Sequence, residues 1–150
     1  MAFLRNDAVN RVNLHSSIQA IAEAGAMVFF VVYLLRVGVP IPVALVSLAA
    51  IFAGRFAVRP LILPAARRWG LKPLLIFGAV ILGAQFPILA QVHGVGPPLV
   101  LLCIVSAIGD IFYWPTYHAY FAAIGDAEHR GHQVSARQAA VSIVSIGAPL

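Results

Sequence analysis

Charge is scarce in this chain. Only 10% of its 150 residues are Asp, Glu, Lys or Arg, where a soluble domain carries about 25%. Hydrophobic residues make up 61%, and the mean hydropathy is +0.93. A water-soluble fold of this length would leave much of that apolar surface exposed. The composition excludes an ordinary soluble domain and points to the bilayer as solvent. Cysteine is nearly absent too. Cys103 stands alone inside an apolar run, so no intrachain disulfide and no cysteine metal cluster is available, and its plain reading is a small buried apolar residue. Walker, HExxH and GxSxG motifs are missing. Alternating ten-residue strands are missing as well, which argues against a membrane barrel.

Some features of the charge that is present exclude further classes. The net charge is +5 and the pI about 10.2. The ten basic residues are scattered between apolar blocks and form no patch with interleaved aromatics, so no nucleic-acid partner is expected. In a membrane protein such excess marks cytoplasmic loops. His129 and His132 lie three apart in a polar loop, a weak pattern that reads as solvated loop rather than a metal site. Neither a cofactor nor a metal is expected.

The fold class expected is all-α: a polytopic transmembrane bundle of four complete spans and the start of a fifth. The runs are 14–35, 40–63, 73–92, 97–121 and 134–150. Each complete run has about 20 residues or more, enough to cross about 30 Å of hydrocarbon as helix. The first run is too long for the core of a cleavable signal, so it is expected to be an uncleaved span. Turn-rich segments join the spans: VGVPIP, RRWGLKP, HGVGPP and GDAEHRGHQ. Pro73 and Pro97 suit first-turn positions, where no helical N–H is needed. Arg5, Arg11, Arg67, Arg68, Lys72 and Arg130 fall on one side and Arg36 on the other, which places the N-terminus in the cytoplasm. Tyr33 and Trp69 sit near run ends, where amphipathic rings favour the interface.

A few charges lie at the wrong depth for a simple span. Glu23 falls near the centre of the first run and Asp110 near the centre of the fourth. Arg55 lies roughly 6 Å to the cytoplasmic side of the centre of the second, and Arg59 one turn further. A central Asp or Arg costs about 2.5–3.5 kcal/mol on insertion scales, so such residues face a bundle interior or water and find partners. Ser16, Gln19 and Glu23 share one helical face. Asp110, Trp114, Tyr117 and His118 share another, a stripe suited to a polar cavity. The third run carries no charge and reads as a peripheral, lipid-facing helix.

Each of these residues has a plainer reading. Glu23 and Asp110 could pair with Arg55 only to hold helices together. Tyr113, Trp114 and Tyr117 could be packing residues. His118 could sit at the interface, and Arg59 could snorkel to the cytoplasmic surface. Pro115 removes one backbone hydrogen bond and is expected to kink the fourth helix.

The pattern resembles the N-terminal portion of a major facilitator superfamily transporter. ARRWGLKP resembles that family's cytoplasmic loop, with Arg68, Gly70 and Lys72 matching and Arg67 standing where the family has an aspartate. GDIFYWPTYHAYFAAIGDAEHRGHQ resembles the end of its fourth span, through Gly109, Pro115, Arg130 and Gly131. Val105 stands near the place where many members carry an arginine. SIGAPL resembles a Gly-Pro-rich stretch of the fifth span, through Gly147 and Pro149. The resemblance implies two six-helix halves built of inverted repeats, of which this chain holds part of the first. The partners then expected are the lipid bilayer, a small-molecule solute, protons as a coupling ion, and the rest of the transporter. The expected localisation is a plasma or bacterial inner membrane.

The expectation is therefore secondary active transport by alternating access. Glu23 and Asp110 are the candidates for binding a proton or a cationic group, Arg55 for pairing with either carboxylate or binding an anionic solute, and Gln19, Tyr113, Trp114, Tyr117 and His118 for shaping the cavity. The alternative is a small polytopic scaffold with structural ion pairs. A membrane enzyme using Asp110 and His118 lacks a second clustered acid or a metal motif, so no enzymatic activity is expected.

Overall fold

The computed structural model describes residues 7–26, 29–125 and 130–147. They form seven α-helices: α1 (Asp7–Ala26), α2 (Phe30–Arg36), α3 (Ile41–Val58), α4 (Ile62–Trp69), α5 (Leu71–Leu89), α6 (Pro97–Ile124) and α7 (Arg130–Gly147). A 3-10 turn, Arg59–Leu61, joins α3 to α4. No strand occurs among the described residues. Three helices are long and apolar enough to cross a membrane: the continuous rod Ile41–Trp69, then Leu71–Leu89 and Pro97–Ile124. The chain is a helical membrane protein by that measure.

The helix boundaries refine the sequence reading. The run read as a first span, 14–35, divides into α1 and α2 on either side of residues 27–28, which lie outside the described ones. Helix α1 also starts earlier than expected, at Asp7, whose negative charge suits a helix N-terminus. The second run, 40–63, extends as helix to Trp69. Pro60 has no N–H to give the Phe56 carbonyl, and the chain tightens there into its 3-10 turn, with the Ile62 N–H bonding to Arg59 O. The fifth run begins at Arg130 rather than near 134, and Pro149 lies outside the described residues.

Two compact units emerge, residues 32–120 and residues 1–31 with 121–150. In the second of these, α1 packs against α7. Val9, Val12, Ser16 and Ala20 form the buried stripe of α1, at helical spacing. Gln133 of α7 is buried as well.

The 32–120 unit is organised around α6. Of its apolar window 56% is buried, against 28% for α5 and 17% for the rod Ile41–Trp69, so α6 is the core helix and the rod is the peripheral one. Helix α5, expected to be peripheral, buries the face Leu74, Gly78, Leu82 and Gln85 and exposes Ile76, Phe77 and Val80. Leu74, Ile111 and Phe112 form a buried cluster, with Val58, Ile62 and Ile108 packed on it. Close approach depends on a missing side chain at Gly78. A Cβ there would lie 2.6 Å from the Tyr113 backbone nitrogen. A buried Ser106–Gln85 hydrogen bond of 3.1 Å ties α6 to α5. In lipid such interhelical bonds and small residues replace the hydrophobic drive that helices have in water.

Candidate functional site

Asp110 projects from the middle of α6 and is 5% exposed. It needs a partner at that burial, and the fold supplies Arg55 of α3, whose Nη2 donates a charge-assisted hydrogen bond to Asp110 Oδ2. The preceding residue explains the reach. Gly54 abuts Ala107, and a Cβ at Gly54 would stand 2.8 Å from the Ala107 Cβ. Helices α3 and α6 thus approach closely one turn from the carboxylate. Arg55 is also held over the Phe52 ring, 4.9 Å from its centroid, an attraction between cation and ring quadrupole. Phe52 lies three residues before Arg55, so the contact follows from helical spacing alone.

Beside this pair opens a cleft of about 350 Å³, lined by Phe52, Arg55, Phe56, Arg59, Asp110, Ile111, Trp114 and Pro115. Its walls are aromatic and apolar, with charge confined to the two arginines and the aspartate. The arrangement can bind a charged group by its arginines and an apolar body by its rings.

The predicted stripe on α6 divides by depth. Asp110 and Trp114 reach the cleft, Tyr113 and Tyr117 are fully buried, and His118 is exposed. The rings nonetheless form one run of contacts. Tyr113 stacks on Tyr117 at 5.9 Å, and Trp114 stacks on His118 at 6.2 Å. Tyr113 meets Trp114 edge-on at 5.1 Å. The stack holds Trp114 at the cleft mouth; Tyr113, Tyr117 and His118 do not line the cleft.

Gln19 and Glu23 belong to the other compact unit. There the Gln19 amide donates to Glu23 Oε1 at 3.5 Å, one turn along α1, and both side chains are half-buried. The loop motif is borne by a helix break. Arg67 and Arg68 are exposed in the last turn of α4, where cations suit the dipole. Gly70 ends the helix at φ 83°, and Lys72 is exposed at the start of α5. Gly131 lies in the first turn of α7; the Arg130 side chain lies outside the described residues, as does His129.

Sequence reasoning missed Phe52 and Phe56 as walls of the cleft. Their signal was present, since both flank Arg55 on its own helix. It was hidden because an apolar run offers aromatics at every face. Among the described residues no group of three His, Cys, Asp or Glu is placed to hold a metal. No protein-family model, no curated protein and no solved structure matches the chain.

Proposed function

We propose that this chain is part of a secondary transporter of the major facilitator type, moving a small solute across a plasma or bacterial inner membrane by alternating access. Its N-terminus would be cytoplasmic, as the loop arginines suggest, and the rest of the transporter would complete the cavity. One observation carries this reading: an Arg55–Asp110 ion pair beside an aromatic-walled cleft, between two helices of membrane length. A charge pair at that depth is costly to keep, and it earns retention where ions or solutes must pass. Asp110 is the candidate coupling group. It could take a proton, release Arg55 to a solute and reset.

The test is Asp110→Asn in the full-length protein. Uptake of labelled amino acids, sugars, organic acids and organic cations is measured across a range of pH. The expected result is loss of accumulation and of its pH dependence. Unchanged uptake and pH dependence would remove Asp110 from the mechanism.

A structural reading is favoured by the directness of the same ion pair. In a scaffold, Arg55 and Asp110 would only fix α3 against α6. Exchanging the two residues separates the readings. A scaffold regains both stability and assembly with Arg55→Asp and Asp110→Arg together. A transporter regains stability but not uptake, because the charges have changed helices.

A further inference from the structure

The cleft beside the ion pair carries more cation than anion. Two guanidinium groups, Arg55 and Arg59, face one carboxylate, Asp110. Asp110 is already matched by Arg55. Arg59 follows one helical turn later, is exposed, and forms no ion pair among the described residues. The cleft therefore holds one surplus positive charge against walls of Phe52, Phe56, Ile111 and Trp114.

We propose that this cleft takes an organic anion, a carboxylate or phosphate group on an apolar body. The proposal deepens the transport reading and rests on it, since it takes the cleft to be a solute site. A guanidinium presents parallel N–H donors that match a carboxylate or phosphate in a fork. Arg59 supplies that fork, and Arg55 stands one turn away, steadied by Asp110 and the Phe52 ring. The rings give the apolar body a surface to bury. The cleft volume of about 350 Å³ falls at the lower end of small-molecule sites, which run from about 300 to 1,000 Å³. A cationic solute finds no such welcome, because Asp110, the carboxylate among the described lining residues, is paired with Arg55, and Arg59 repels a cation. The expectation that Asp110 meets a cationic group gives way to one in which its carboxylate, while ionised, holds Arg55 in place.

A lipid headgroup offers the same anionic chemistry. The experiment separates the two sources. The chain is reconstituted in phosphatidylcholine nanodiscs with Trp69→Phe, which leaves Trp114 as the reporter, since the sequence has two tryptophans. Benzoate, neutral methyl benzoate and cationic benzylamine are titrated while Trp114 fluorescence is followed. The expected result is a saturable change with benzoate, none with benzylamine, and a weaker one with the ester. Arg59→Gln is expected to weaken benzoate binding about tenfold or more, as loss of a charge-assisted bond does, and Arg59→Lys to weaken it less, since the charge stays while the fork is lost. Circular dichroism of each variant checks that the helices are intact.

Equal response to acid and ester, tighter binding of benzylamine, or indifference to Arg59→Gln would overturn the proposal. So would phosphatidylglycerol discs in which the lipid alone shifts Trp114 through Arg59 and benzoate no longer binds. The readout is binding rather than flux. Benzoate bound without any solute movement sinks the transport reading and leaves the anion site standing. Uptake that shows no preference for anions does the reverse.

Discussion

Helices α1 and α6 each carry one carboxylate near the middle of an apolar run, yet the fold treats the two differently. Asp110 of α6 is buried, and an arginine from another helix meets it. Glu23 of α1 stays half-buried, with Gln19 of its own helix bonded to it. The helices differ in the same sense. Over half of the apolar window of α6 is buried, and α6 is among the three helices of membrane length and hydropathy. Helix α1 is not among those three, and it buries Ser16 along with Val9, Val12 and Ala20. The lesson is that hydropathy averaged over a run does not fix the environment of a charge inside it. The partner does, and partners come from packing.

The largest way to break this comparison is Asp110→Leu. It leaves Arg55 without its anion and is expected to cost about 3 kcal/mol, toward the low end for a buried pair because Arg55 keeps part of its side chain exposed. Thermal unfolding in detergent would show a large fall in midpoint. Arg55→Leu added to it is expected to return most of the loss, because an apolar pair fits the same space.

Next in size is Gly78→Ala. Its Cβ would collide with the Tyr113 backbone, so α5 must move off α6, at about 2 kcal/mol. Ser106→Ala is smaller, at about 1 kcal/mol, since it removes the donor to the buried Gln85 oxygen. Both losses are expected to appear in the same unfolding measurement. Smallest is Glu23→Gln, expected to change stability by under about 1 kcal/mol, because the amide keeps the side chain's shape and an accepting oxygen beside Gln19. A Glu23 effect as large as that of Asp110 would erase the contrast between the two helices.

Parts of this were legible in the sequence. Long apolar runs with Pro at their starts announced α3, α5 and α6, because helix length in lipid is set by bilayer thickness. Gly70 and the flanking arginines announced the α4–α5 break. Asp110 and Arg55 were legible as charges needing partners, and the spacing placed Trp114 on the face of Asp110. Which pair would form was not legible. That depended on Gly54 and Ala107 letting two backbones approach, and small residues occur all along these runs. The division of the first run into α1 and α2 was hidden too, since LHSSIQAIAEAGAMVFFVVYLL carries no proline to mark it. The depth difference between Tyr117 and His118 was invisible because neighbours on a helical face read alike until a second helix covers one of them.

The central claim is that the cleft beside Arg55 and Asp110 holds water and solute rather than lipid tails. Phe56 lines it and is 80% exposed, whereas Val80 lies on the outer face of α5 and is 64% exposed. The direct measurement places a single cysteine at each position in turn, in a Cys103→Ala background, and treats vesicles, first sealed and then with both faces made accessible, with a membrane-impermeant maleimide. Only a hydrated thiol ionises and reacts. The account predicts rapid labelling of Phe56→Cys and none of Val80→Cys. Equal silence at both positions would place the cleft in hydrocarbon and contradict it.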